Sequence, residues 1–264
     1  MMLRLQSIVD FEKEKQVRGG WRQVTYDLHL HSCLSPCGDD EMTPANIAGM
    51  AAVKELNVVA LTDHNTCKNC PAFLTAAEAY GVTALPGMEL TTSEEVHVIC
   101  LFEHLKDAMR FDTYVYEHLM NIRNDEVIFG KQLIMNEEDE VLGKVDKLLI
   151  NATDIAFDEV YGLMEEYHGV MMPAHLDKST TSLLSNLGFI PPESRFYVAE
   201  LASLKSLHKL QEMHPYLRNC TILTNSDAHY LPDIHEPLYS MLVPELSRAG
   251  VIAALKTAYT DKKR

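Results

Sequence analysis

Six short stretches of the chain carry side chains that bind metal ions or move protons. They are "HLHS" with His29 and His31, "TDHN" with Asp63 and His64, "GME" with Glu89, "VH" with His97, "PAH" with His175, and "SDAH" with Asp227 and His229. Neutral imidazoles and ionised carboxylates are the donors that Zn²⁺, Mn²⁺ and Fe accept, and these histidines and acids exceed the needs of one ion. The residue types therefore point to two or three divalent ions held side by side. Adjacent ions can bind a water between them, lower its pKa and present hydroxide to an electrophile. They also neutralise a phosphate and the charge growing on its equatorial oxygens, so phosphoester hydrolysis asks mainly for positioning and electrostatics.

Donors so scattered in sequence act together only if the fold gathers them. Short β-branched runs predict strands near 24–30, 58–62, 82–87, 97–102, 170–174, 196–201 and 221–225, separated by helical patterns such as "PANIAGMAAVKEL" and "PAFLTAAEAY". Pro44 and Pro71 stand where a helix start favours proline, and Gly81 where a helix stop favours glycine. The rhythm predicts seven parallel strands wrapped by helices, a (β/α) barrel whose active site lies at the C-terminal ends of the strands. His29, His31, Asp63, His64, Glu89, His175, Glu200, Asp227 and His229 fall at or just beyond such ends, whereas His97 opens its strand and fits the rule poorly. Strand alternation in "YDLHLH" puts Asp27, His29 and His31 on one face and Tyr26, Leu28 and Leu30 on the other. From 103 to 155 the rhythm breaks, and the helix formers there predict a mostly helical insertion, a lid or an interface, within one domain spanning 1–264.

Composition narrows the class. With 264 residues, 47% of them hydrophobic, the chain can bury a sizeable core. A formal net charge of −15 argues against a broad footprint for nucleic-acid phosphates but permits a small anionic substrate held by bound cations. The N-terminal stretch mixes charges too early for a signal peptide and no long apolar run follows, so the expectation is a cytoplasmic protein without a membrane segment. Six cysteines do not make a disulfide scaffold; reduced thiols are expected, with a structural zinc site from "CLSPC" and "CKNC" as the alternative.

Taken in order, HLHS, TDHN, GME, VH, PAH and SDAH resemble the PHP (polymerase and histidinol phosphatase) family, over about 24 to 230 apart from the insertion. The resemblance implies a distorted seven-stranded (β/α) barrel of PHP type and a trinuclear metal centre. It places His29, His31, Glu89 and Asp227 on one ion, Glu89, His97 and His175 on a second with Glu89 bridging, and His64 and His229 on a third. Many relatives carry His or Asp soon after the HxH pair, whereas this loop reads "SPCGDD" and offers Cys37, Asp39 and Asp40. Asp39 is favoured, because hard oxygen ligation suits a phosphate-binding ion and a thiolate favours softer zinc. The implied activity is metal-dependent hydrolysis of a phosphoester by a metal-bridging hydroxide, using Zn, Mn or Fe. The substrate would be a small phosphorylated metabolite, a nucleotide or a short single-stranded oligonucleotide end. Asp63 and Asp27 read as carboxylates that orient imidazoles, and Lys178 and Arg195 as phosphate clamps. Two other readings stand beside this one: an amidohydrolase-type metal hydrolase, and a metal-binding module without turnover.

Overall fold

The computed structural model describes residues 20–257. Its strands are β1 (Arg22–Leu30), β2 (Val58–Leu61), β3 (Thr83–Thr91), β4 (His97–Phe102), β5 (Leu133–Met135), β6 (Val141–Lys144), β7 (Gly169–Pro173), β8 (Val198–Glu200), β9 (Thr221–Leu223) and β10 (Ser240–Val243). Six of them form one curled mixed sheet in the order β10–β1–β2–β3–β4–β7. The parallel pair β8–β9 stands between β7 and the C-terminal end of β1. A single parallel bridge, Leu30 to Ala228, ties the segment after β9 to β1, and the Leu176 N–H donates to Glu200 O at 2.9 Å across the other gap. The result is a distorted, partly open barrel.

The expected set of parallel strands is corrected in two places. β4 runs antiparallel to both β3 and β7, and β10 adds antiparallel to β1. Only residues 92–96 separate β3 from β4, and a parallel crossover needs a dozen residues or more. This reversal explains His97. As the first residue of a reversed strand it lies at the same end as the last residues of β3.

Helices coat the outside. Thr43 caps the helix Pro44–Val53 by accepting the Asn46 N–H, and Pro44 fills a first-turn position whose missing N–H costs nothing. The insertion holds one long helix, Leu105–His118, a single turn at Glu126–Phe129, and the hairpin β5–β6, so it is not mostly helical. The stretch "NEEDE" at 136–140 explains the difference. Asn136 Oδ1 accepts the N–H groups of Glu138 and Glu140 to close the hairpin turn, and the Asp139 carboxylate accepts from Thr43 Oγ1 and the Ala45 N–H at the neighbouring helix start. Leu119, Val145 and Leu149 of the insertion pack on Leu34, in the loop after β1.

Alternation along the strands divides the core. Tyr26, Leu28, Val58, Ala60, Leu85, Ile99, Leu101, Met172 and Val198 point inward and pack with Val251, Ile252, Ala254 and Leu255 of the helix Arg248–Lys256, which plugs the barrel floor. Val59, Leu61, Ala84, Met88, Val98 and Cys100 face outward under the covering helices. In β1 the register against β2 shifts between Asp27 and Leu30. Leu28 accordingly belongs to the inner cluster and Leu30 to the outer one, which corrects the simple alternation expected for "YDLHLH". A bulge of this kind re-aims side chains beside a site, and here it turns His29 and His31 into the barrel above Leu28. Among the described residues no helix is long and apolar enough to cross a membrane.

Candidate metal centre

Above the apolar floor, the same inner faces carry polar groups. On β3 Leu85 and Glu89 share the inner face, on β4 His97 precedes inward Ile99, and on β8 Glu200 follows inward Val198. Glu89 thus lies within its strand instead of after it. His175 and Asp227 follow β7 and β9 and adopt φ values of 30° and 53°. This left-handed region is sparsely populated by residues other than glycine, and strain of this kind concentrates at functional sites.

Glu89 is the hub. Its Oε1 lies 2.9 Å from His97 Nδ1, 3.2 Å from His175 Nε2 and 3.3 Å from His29 Nε2, while Oε2 lies 3.0 Å from His64 Nδ1 and 3.4 Å from His31 Nε2. Asp227 Oδ1 lies 3.2 Å from His29 Nε2 and 3.3 Å from His31 Nε2. The two Nε2 atoms of His29 and His31 face each other at 3.1 Å. Three donor sets emerge with all ligand atoms within 4.8 Å of one another: His29, His31, Glu89 and Asp227; His64, Glu89 and His97; and His31, His64 and His229.

These groups fit divalent ions better than they fit each other. The His64 and His175 Nδ1 atoms are buried without a hydrogen-bond partner. His64 Nδ1 approaches Glu89 Oε2 out of hydrogen-bond alignment. Four donors about 2.0–2.1 Å from a tetrahedral ion stand about 3.3 Å apart, close to the spacing between Glu89, Asp227, His29 and His31. The multiple clusters support a site for more than one ion.

Protonation follows from the same crowding. Burial opposes charge on His31, yet hydrogen bonds to Asp227 and Glu89 outweigh it and raise its pKa to about 9. For His29, burial is likewise overcome by Glu200, Asp227 and Glu89, and its pKa lies well above the ordinary value. Burial lowers His64 to about 3 against the pull of Glu89, and burial with the nearby His31 charge lowers His229 to about 4. Burial favours the neutral form of Glu89, but His97, His29 and His64 hold it well below the usual carboxylate range. Neutral imidazoles and ionised carboxylates are the forms that ligate.

A surrounding layer fixes the donors. Glu200 takes His29 Nδ1 at 3.1 Å, accepts the His175 N–H at 2.8 Å and is anchored by Asn225 Nδ2 at 2.7 Å. Asp63 accepts from the Ser32 N–H, Ser32 Oγ and Ser35 Oγ, and does not touch the donor sets directly. Ser35 Oγ in turn contacts His31 Nδ1 at 2.9 Å and accepts the His64 N–H at 3.2 Å. Asp63 therefore orients His31 and His64 through Ser35. Asp27 holds the N–H groups of Ser226 and His235, fixing the loop that carries Asp227 instead of an imidazole. Ser35 and Asn225 carry no sequence signal of their own. Glu200 was legible from its place at a strand end.

Two expectations change, for Arg195 and Asp39. Arg195 is not at the mouth: its guanidinium lies 5.4 Å from the Tyr161 ring centre, in a cavity of about 280 Å³ also lined by Glu165, Met171 and Phe196. A residue that precedes a strand sits at the opposite end from its C-terminus, so Arg195 could not share the mouth with Glu200. Asp39 joins no donor set; its Oδ1 accepts the Glu41 N–H and its own N–H donates to His229 O. Lys178 is at the mouth, ion-paired with Asp227. The cysteines form no four-thiolate set: among the described residues none enters a donor set, and Cys67 and Cys70 are buried with their thiols toward Gly87 O.

With this geometry in place, comparison identifies the kinship. A stretch 33% identical over 79 residues relates the chain to a 5′-3′ exoribonuclease of Haemophilus influenzae, covering 29% of this chain and 28% of that protein's length. Among solved structures, the lesion-specific endonuclease PfuEndoQ of Pyrococcus furiosus superposes with a TM-score of 0.62 at 20% identity, over 89% of this chain and 56% of that one. An amidohydrolase from Chromobacterium violaceum gives 0.55 at 19% identity, over 85% of this chain and 93% of that one. At such identities the structural likeness speaks for the fold alone. The PHP domain family model matches residues 27–178, which include His29, His31, His64, Glu89, His97 and His175, and because it spans more than half of the sequence the chain belongs to the PHP-domain family.

Proposed function

We propose that the chain is a metal-dependent phosphoesterase whose mouth holds two or three divalent ions. The observation that carries this is Glu89, a buried carboxylate within 3.4 Å of five imidazoles and shared by two of the donor sets. His29, His31, Glu89 and Asp227 would hold one ion, and Glu89, His97 and His175 a second. His64 and His229 would hold a third. The donor types fit zinc, manganese or iron. When bound, such ions acidify water and neutralise the charge of a phosphate ester.

The chain's own groups supply the rest. Glu200 fixes the orientation of His29, and Ser35 with Asp63 fixes His31, so the ligating nitrogens are held before any ion arrives. Lys178, half-exposed at the rim beside Asp227, is placed to meet a phosphate oxygen. The insertion packs on the loops after β1 and β2, with Asn65 Nδ2 donating to Leu149 O and Asn151 O, and would select what enters. The kinship with an exoribonuclease and the fold shared with an endonuclease favour a nucleotide or a short single-stranded nucleic-acid end. A net charge of −15 disfavours long duplexes.

The test is hydrolysis by the purified full chain of p-nitrophenyl phosphate, nucleoside monophosphates, 3′,5′-bisphosphates and short oligonucleotides, before and after chelation. Turnover that vanishes with chelator and returns with added divalent ion is expected. Turnover indifferent to chelation contradicts the proposal, and bound metal without turnover on any of these phosphoesters moves the reading to a binding module or an amidohydrolase-type hydrolase.

A further inference from the structure

We infer that Asn65 joins the metal centre and the insertion into one cooperative unit: an ion held by His64 and Glu89 tightens the insertion, and loosening the insertion weakens the hold on the ion. The inference deepens the reading of the mouth as a metal centre and rests on it.

Asn65 directly follows the donor His64 and is fully buried, with its N–H and its whole side-chain amide engaged. The N–H donates to Glu89 O at 2.9 Å and Oδ1 accepts the Thr91 N–H at 2.8 Å, so Asn65 grips β3 on both sides of Leu90. Its Nδ2 donates to Leu149 O at 2.7 Å and Asn151 O at 2.8 Å, both in the insertion. Its φ of 52° lies in the left-handed region, which asparagine enters more readily than most residues. Glycine would meet that demand too, but glycine could not hold the insertion. The side chain is what joins the two parts.

The grip extends in both directions. Toward the mouth, His64 bridges Glu89 in parallel register, and Thr153 gives both its N–H and its Oγ1 to Thr91 O, at 2.9 Å and 2.8 Å. Away from the mouth, buried Gln132 accepts the Leu149 N–H through Oε1 at 2.9 Å and donates through Nε2 to Val145 O at 2.7 Å and Lys147 O at 2.8 Å. The buried amides of Asn65 and Gln132 thus share Leu149 as their joint, and hydrogen bonds link Glu89 to the base of the hairpin β5–β6. The helix Leu105–His118 closes on the same loop, where Asp112 accepts Thr66 Oγ1 at 2.7 Å and the Cys67 N–H at 2.8 Å.

Buried amides of this kind act as a set, because a donor left without its acceptor bears the whole cost of desolvation. The insertion is therefore seated or released as a unit. An ion that fixes His64 and Glu89 favours the seated state, and by linkage the seated state favours the ion by the same factor. Asn65 belongs to no donor set and acts through His64 and Glu89, as a positioning residue.

The test measures hydrogen exchange of the full chain by mass spectrometry, metal-stripped and loaded with Zn²⁺ alone, together with zinc affinity. In the wild type zinc should slow exchange across 145–153 as well as at the mouth. Asn65→Asp keeps the acceptor for Thr91 and loses both donors to the insertion. Zinc should then still protect the mouth but no longer 145–153, and its affinity should fall about tenfold. Asn65→Gly, which allows the same backbone conformation, should behave alike. Gln132→Glu, outside every donor set, should weaken zinc binding about threefold in the wild type and add nothing in the Asn65→Asp background. An Asn65 that served only stability would leave the two substitutions additive. Additive losses, or zinc bound by the wild type without slower exchange at 145–153, overturn the inference and leave the metal centre standing. Failure of the wild type to bind zinc overturns both.

Discussion

On β3, Leu85 and Glu89 share the inner face of one strand; Leu85 packs into an apolar floor sealed by the helix Arg248–Lys256, and Glu89 stands among histidines. The same pairing recurs on β4, where His97 shares its inward face with Ile99 and Leu101, and on β8 with Glu200 and Val198. One alternation therefore builds two regions with opposite chemistry. The floor is held by burial of apolar surface, which makes no demand on direction. The mouth brings carboxylates and imidazoles out of water, which is unfavourable unless each is paired or ligates an ion. The difference teaches that the lower half gives this fold its stability and the upper half draws on it.

The comparison predicts that the two halves fail in different ways. Glu89→Gln removes the ligand shared between donor sets and is expected to lower hydrolysis by about 10³-fold and reduce bound metal, while thermal unfolding of the metal-free protein stays cooperative. Assays of turnover, metal content and melting check this. Leu255→Ala opens a cavity in the floor and should cost about 2–5 kcal/mol in urea denaturation, with turnover per folded molecule unchanged. A comparable loss of stability in Glu89→Gln would break the division of labour.

Smaller effects sharpen it. Glu200→Gln leaves His29 with a weaker partner and should weaken metal binding by about 10–100-fold, measured by competition with a chelating dye. The pH dependence has a definite sign. His31 is raised to about 9 in the metal-free protein, so at neutral pH an incoming ion must displace its proton. Affinity should therefore rise with pH from the neutral range, about tenfold per unit for each proton displaced, and His29, whose pKa is also raised, adds to the slope. His64 and His229, lowered to about 3 and about 4, add no slope above that range. Smallest of all, Arg195→Ala should leave hydrolysis within about twofold, and Lys178→Ala should raise KM for a phosphoester more than it lowers kcat.

Much of the mouth was legible because its donors and their supports lie at or near the ends of strands that apolar periodicity marks clearly, as with His29, His97 and Glu200. The direction of β4 was written in the five-residue link 92–96, too short for a parallel crossover, yet apolar runs alone carry no direction. The hairpin β5–β6 was hidden by "NEEDE", whose charges suggest a solvated helix but whose Asn136 and Asp139 make a turn and a cap. The bulge in β1 left no periodic trace, because its consequence, Leu28 inside and Leu30 outside, depends on register against β2.

The measurement that bears most directly on the central claim is anomalous diffraction from crystals of the metal-loaded protein. At least two peaks should lie at the barrel mouth, one contacted by His29, His31 and Asp227, another by His97 and His175, with Glu89 between them. A single ion away from Glu89, or peaks only at the buried cysteines, would contradict the account.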